Sequence, residues 1–214
     1  MKFTSKNTLI WDWNGTLLDD ADYCVKNMNI LLKRRNLPLI NKSIYREIFT
    51  FPVINYYKKA GIDLKTEGFE KPAQEFINLY FGNFHNTYLF PCAAEILKKF
   101  QNKGLKQVVL SAMEHNSLQK TLKEKSIFQY FDHVTGIGDH YGGTKTDIGL
   151  QLMKKLSAIP EQIVMIGDTL HDKEVADAMG IDIILVSQGH YSLKRLQSAK
   201  VPIINKLDEL LTMF

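Results

Sequence analysis

The chain has 214 residues, 45% hydrophobic and 23% charged, the make-up of a globular protein with one doubly wound domain or a core carrying a modest insert. Its 27 basic and 23 acidic residues leave a net charge of +4 that is scattered, with no basic stripe interleaved with aromatics, so nucleic acid is not an expected partner. Cys24 and Cys92 lack metal-ligand spacing, no apolar run approaches the ~20 residues of a membrane span, and the opening MKFTSKNTLIW has no signal-peptide core, so a cytoplasmic location is expected.

The segment TLIWDW (8–13) is apolar on nearly every residue and reads as the first strand. The rhythm then changes. DYCVKNMNILLKRR (22–35) is an amphipathic helix pattern, and KPAQEFINLYFGNFH (71–85) is another, with Pro72 in a first-turn position. No convincing strand separates them, so residues 19–86 are expected to form an α-helical insert, leaving 1–18 and 87–214 as the core. Helix CAAEILKKFQNKG (92–104) places Ile96, Leu97 and Phe100 on one stripe and stops at Gly104. Strand QVVLSA (107–112), helix NSLQKTLKEK (116–125) and strand HVTG (133–136) follow. Helix TDIGLQLMKKL (146–156) carries Ile148, Leu152 and Leu156 at four-residue spacing. Strand IVMIGD (163–168), helix DKEVADAMG (172–180) closed by Gly180, strand IDIILV (181–186) and a short edge strand VPII (201–204) complete the chain. Strongly apolar strands alternating with helices predict an α/β fold, a doubly wound parallel sheet covered by helices on both faces.

In such sheets ligands bind beyond the carboxyl ends of the strands. The first strand ends on Asp12 and the second on Ser111; Lys145 opens the helix after the third, in GGTKTD; GDTLHD after the fourth supplies Asp168 and Asp172. A nucleophile, a hydroxyl, an ammonium and two further carboxylates on one edge suit phosphoryl transfer. Mg²⁺ takes oxygen ligands, and Asp12, Asp168 and a backbone carbonyl in the turn after Asp12 offer three. Asp12 is the candidate nucleophile, forming an aspartyl-phosphate. Thr16 and Ser111, with backbone N–H groups such as that of Ala112, are candidates to hold the transferring oxygens, and Lys145 to neutralise charge. Asp172 supports the metal's water shell or orients Lys145. Singly, each has an ordinary explanation as a turn former, cap or solvated charge; their conjunction at the strand ends points to a site. His115 and His171 read as surface or helix-start residues. Arg46, Lys58 and Lys59 read as solvated insert surface, with contact to an anionic substrate tail as the other option. The aromatics of NYYKK and LYFGNF read as the insert's own core.

DWNGT, Ser111, Lys145 and GDTLHD, in this order, resemble the four motifs of the haloacid dehalogenase superfamily, and GDTLHDKEVADAMG is similar to its phosphoglycolate phosphatase and β-phosphoglucomutase branch. The resemblance implies a Rossmann-like core, a helical cap that closes over the site and sets specificity, Mg²⁺ dependence and a covalent aspartyl intermediate. It implies metal ligation by Asp12, the Asn14 backbone carbonyl and Asp168, with Asp172 in support. The expected substrate is a small phosphorylated metabolite; its identity and the oligomeric state are not legible. Superfamily phosphatases usually carry a second aspartate, the proton carrier, where this chain has Asn14. Three readings follow: a phosphatase slowed by Asn14, a surrogate acid/base such as His115, His171 or an insert residue, or a weakly active or inactive protein that binds a phosphorylated ligand. A phosphonate-cleaving enzyme would need a Schiff-base lysine in the insert, and neither Lys33, Lys58 nor Lys59 is assignable to it. Dehalogenase and mutase chemistry are disfavoured, the first by the metal-suited aspartates and the second by the missing one.

Overall fold

The computed structural model describes residues 2–138, 144–156 and 159–214. Its main sheet has six parallel strands in the order β5-β4-β1-β6-β7-β8. These are β1 (Thr8–Trp11), β4 (Lys106–Glu114), β5 (His133–Ile137), β6 (Ile163–Gly167), β7 (Asp182–Val186) and β8 (Ile203–Ile204). The central strands are apolar throughout because they are buried on both faces and successive side chains alternate. Leu9, Trp11, Val109, Val164, Ile166, Ile184 and Val186 enter one cluster, while Ile10, Val108, Leu110, Met165, Ile183 and Leu185 enter the other.

Helices α6 (Ala93–Asn102) and α7 (His115–Glu124) contribute Ile96, Leu97, Phe100, Leu118 and Leu122 to the first cluster. Helices α8 (Lys145–Lys155), α9 (Leu170–Met179) and α10 (Leu193–Leu196) line the second with Leu152, Val175, Ala176 and Leu196. Gly180 ends α9 in the left-handed conformation expected of a terminating glycine.

Between β1 and α6 the chain forms five α-helices: α1 (Ala21–Arg34), α2 (Lys42–Ile48), α3 (Val53–Lys59), α4 (Leu64–Glu67) and α5 (Glu70–Gly82). Sequence periodicity anticipates only α1 and α5. The other three have four to seven residues, too short for a repeating apolar stripe, and two of them are started by side-chain caps at Asn41 and Asp63. Arg35 at the end of α1 joins Glu67 of α4 at 2.6 Å and Glu75 of α5 at 3.2 Å, so the three helices share one ion-pair junction. A two-stranded antiparallel ribbon, β2 (Leu18–Asp19) and β3 (Tyr88–Leu89), pairs the segment entering the helices with the one leaving them. Two-residue strands carry no pattern of their own, and this ribbon is absent from the sequence reading.

Candidate active site

Asp12 lies one residue beyond β1, with its N–H still in the ladder, donating to Ile166 O at 2.9 Å. The chain then turns tightly at Asn14-Gly15. Gly15 has φ +75°, and a Cβ there would lie 2.3 Å from Asp168 Oδ2 and 2.5 Å from His190 Cδ2, so both the dihedral and the space demand glycine. The turn brings back Thr16, whose hydroxyl lies 3.1 Å from Asp12 Oδ2 and 3.2 Å from Asp168 Oδ1.

Lys145 is the first residue of α8, set there by the Thr144–Asp147 capping box. Its ammonium is buried in close contact with Asp12 and 2.6 Å from Asp172 Oδ1. Asp172 closes a second capping box at the start of α9, accepting from the Thr169 hydroxyl at 2.7 Å and N–H at 3.0 Å, and from the Asp168 N–H at 3.2 Å. Oxygens of Asp12, Asp168 and Asp172 lie within 4.8 Å of one another. Ser111 is buried at the same sheet edge, two residues past the Trp11↔Val109 pairing; its Oγ accepts from the Met113 N–H, and Ala112 follows in the strand.

Burial pushes Asp12 up to about 6, although Lys145 opposes the shift. Burial also pushes Asp168 up to about 8, opposed by the His190 charge and reinforced by Asp12 and Asp172. Asp172 is buried as well, yet Lys145 and the Thr169 bonds hold it below the usual carboxylate range. Burial would lower the Lys145 ammonium, but Asp12 and Asp172 outweigh it and raise it.

A second set of buried groups adjoins these. His190, in the loop after β7, donates its N–H to Asp168 Oδ2; its ring meets Asp20 Oδ1 at 3.3 Å through Nε2 and the Tyr45 hydroxyl of α2 at 2.8 Å through Nδ1. Burial alone would lower His190; the charges of Asp20 and Asp168 reverse this and raise it to about 9. Among the described residues of this region, the buried carboxylates Asp12, Asp20, Asp168 and Asp172 face two buried cations, Lys145 and His190. When all are ionised two positive charges are lacking, and the donor atoms are hard oxygens. A divalent cation such as Mg²⁺ fits both the charge and the donors.

The family profile described as haloacid dehalogenase-like hydrolase matches residues 9–186. The chain belongs to that family. Tyrosine-protein kinase PtkA of Mycobacterium tuberculosis is 26% identical over 192 residues, 87% of this chain; the chain spans 64% of that kinase's length. The phosphoglycolate phosphatase of Caulobacter vibrioides is 27% identical over 191 residues, covering 86% of this chain and 80% of the phosphatase. A haloacid dehalogenase-like family hydrolase of Streptococcus pneumoniae superposes with a TM-score of 0.84 at 21% identity, over 98% of both chains, which shows the shared Rossmann-like fold.

Within this haloacid dehalogenase-like hydrolase, Asp12, Thr16, Lys145, Asp168 and Asp172 meet in one hydrogen-bonded group, while Ser111 and Ala112 share the edge without a bond to it. The two histidines offered as surrogate acid/bases are engaged elsewhere. His115 lies between Gln119 and the Gly136 N–H, and His171 pairs with Glu174 and stacks on Phe51 of the insert. Arg46 is not simply solvated surface: its guanidinium grips the carbonyls of Gln188 and Gly189, tying α2 to the loop that holds His190. Lys58 and Lys59 are exposed. Tyr56, Tyr57, Tyr80 and Phe84 are buried in the same cluster as one face of the sheet, and Tyr80 also reaches Asn14 at 2.7 Å. Sequence reading missed Asp20, Tyr45, Tyr80 and His190. His190 had a signal, since SQGH follows the end of a fifth strand on the same carboxyl edge.

Proposed function

We propose that this hydrolase is a Mg²⁺-dependent phosphatase of a small phosphorylated metabolite, working through an aspartyl-phosphate on Asp12. The observation that carries the reading is the buried convergence of Asp12, Asp168, Asp172 and Lys145, with its deficit of two positive charges. The phosphoglycolate phosphatase relative supports the choice of substrate class. Asp12, Asp168 and the Asn14 backbone carbonyl would hold the metal, with Asp172 in support. When bound, Mg²⁺ supplies charge neutralisation that lets a phosphate approach the carboxylates.

Asp12 then attacks phosphorus as the bond to the leaving oxygen breaks. Lys145 is already set against Asp12 and neutralises charge on carboxylate and phosphate. Thr16, Ser111 and the Ala112 N–H steady the non-bridging oxygens, and water opens the aspartyl-phosphate. The Asn14 amide cannot act as a general acid and base, which removes a contribution of ~10²–10⁴ in rate. Substrates with weakly basic leaving groups lose least.

The helical segment 19–86 acts in this reading as a cap on the core formed by 1–18 and 87–214, supported by the Arg46, Tyr45 and Tyr80 contacts to core loops. The phosphonate-cleaving alternative finds no support, since Lys33, Lys58 and Lys59 are exposed. A cytoplasmic location belongs to the same proposal; among the described residues no helix is long and apolar enough to cross a membrane.

The test is phosphate release from a broad panel of phospho-metabolites, aryl and acyl phosphates included, with Mg²⁺ and with EDTA. Release that requires Mg²⁺ and disappears in Asp12→Asn is expected. No release from any member sinks the phosphatase reading in favour of a phospho-ligand binder. Because a tyrosine kinase is among the relatives, ATP with a tyrosine peptide belongs in the panel, and transfer to tyrosine in place of phosphate release also overturns the reading.

A further inference from the structure

Asp20 occupies the N-cap position of α1, yet its side chain makes no capping bond to that helix. The carboxylate is 0% exposed and turns back to the loop that carries Asp12, where all its acceptor positions are filled. Oδ1 takes the Gly15 N–H at 3.0 Å and lies 3.3 Å from His190 Nε2. Oδ2 takes Asn14 Nδ2 and the Tyr80 hydroxyl, each at 2.8 Å, and the Cys24 thiol at 3.6 Å. Asn14 Nδ2 also lies 2.7 Å from the Tyr80 oxygen. One arrangement of protons satisfies the triangle: one Asn14 N–H to Asp20, the other to Tyr80, and the Tyr80 O–H to Asp20. The carboxamide cannot be reversed, because its oxygen would then face the Asp20 carboxylate. Asn14 Oδ1 therefore points away from Asp20, and no group among the described residues donates to it.

We propose that Asp20 is a positioning residue that dictates the identity of position 14: by accepting the Asn14 amide, braced by Tyr80, it presents Asn14 Oδ1 to the site as an acceptor and bars a carboxylate there. An aspartate at 14 would set a half-buried carboxylate against the fully buried one of Asp20 with one hydroxyl proton between them, and one would have to bind a proton or break away. Exchanging both residues relieves this. With Asn14→Asp and Asp20→Asn together, the amide donates from position 20 to the carboxylate at 14, and its oxygen still accepts from the Gly15 N–H beside His190. Restoring a proton carrier therefore takes two substitutions.

The catalytic consequence rests on the phosphatase reading. The leaving oxygen departs as an anion with the electron pair of the broken P–O bond, and the proton of the attacking water leaves with the phosphate product. Rate then depends steeply on leaving-group basicity, which favours aryl and acyl over alkyl phosphates.

Two readouts test the pairing. Thermal midpoints in EDTA of wild type, Asn14→Asp, Asp20→Asn and the double exchange need no activity. Each single change is expected to lower the midpoint by several degrees, and the double exchange to recover most of the Asn14→Asp loss. If Asn14→Asp yields no folded protein, soluble yield restored only in the double exchange counts as the same result. With Mg²⁺, kcat and KM across an aryl-to-alkyl phosphate series supply the second readout. The double exchange should raise kcat on alkyl phosphates on the order of 10²-fold, with little change in KM and a flattened leaving-group dependence, while Asn14→Asp alone gains far less. An unchanged midpoint in Asn14→Asp, or an equal alkyl gain with and without Asp20→Asn, overturns the proposal. Absence of wild-type phosphate release overturns the phosphatase reading instead, and the midpoint cycle still decides the pairing.

Discussion

Lys145→Ala probes the centre of the site most directly. Its side chain is 3% exposed and lies between the side chains of Asp12, 9% exposed, and Asp172, 3% exposed. Removing one partner of a buried ion pair typically costs about 3–5 kcal/mol, because the other charge is left buried and unpaired. Two carboxylates lose their partner here, which argues for the upper end. Asp12 argues for the lower end, since burial has already raised it to about 6 and without Lys145 it takes up a proton near neutral pH. The net expectation is a loss of about 3 kcal/mol at neutral pH without metal, or ~6–12 °C in Tm for a chain of this size. Urea and thermal unfolding in EDTA measure it, on wild type, Lys145→Ala, Asp12→Asn and the double variant. Asp12→Asn removes one of the two carboxylates that Lys145 neutralises, so the Lys145→Ala loss should shrink by at least about 1 kcal/mol in that background. A loss below about 1 kcal/mol, or additivity within about 0.5 kcal/mol, would refute the claim that this lysine is the site's internal counter-charge.

Gly15→Ala forces a left-handed backbone on a residue with a Cβ, at about 1–2 kcal/mol, and drives that Cβ into Asp168; Tm should fall and the Mg²⁺-induced rise in Tm should vanish. His190 (about 9 folded against 6.5) and Asp168 (about 8 against 3.8) both hold protons in the native state that the unfolded chain has released between about 6.5 and 8. Stability of the metal-free protein should therefore fall as pH rises through this window, with the His190 part lost by about 9. On the Mg²⁺ proposal, binding at Asp168 displaces its proton, so stabilisation by Mg²⁺ should grow with pH across the same range; a flat metal-free Tm from pH 6.5 to 9 contradicts both assignments. Arg46→Ala removes two charge-assisted bonds from the half-buried guanidinium to Gln188 and Gly189. A loss of about 1–2 kcal/mol is expected, and hydrogen exchange should rise first in α2 and residues 187–190, where no local change would argue against Arg46 as the tie.

Much of this molecule is legible from the chain alone because burial on two faces leaves a strand few polar positions: IVMIG and IILV announce themselves by composition. The strand-end rule then gathers Asp12, Lys145, Asp168 and Asp172, since a parallel sheet points every carboxyl end to one edge. Gly15 follows too, from a turn dipeptide that needs positive φ. Helices of four to seven residues and the two-residue ribbon β2–β3 escape, because they exist by caps and by packing against α1 and α5, not by periodicity. The partners of Asn14 escape for a related reason. Asp20 is close in sequence, but its aim depends on how α1 leaves the sheet; Tyr80 comes from another helix, and His190 arrives from the far end of the chain. By sequence alone, position 14 is a missing proton carrier. Only the packing of α1, α5 and the loop after β7 around one buried carboxylate makes it an amide with a partner, because a hydrogen-bond network is decided by which groups the fold brings within three ångströms.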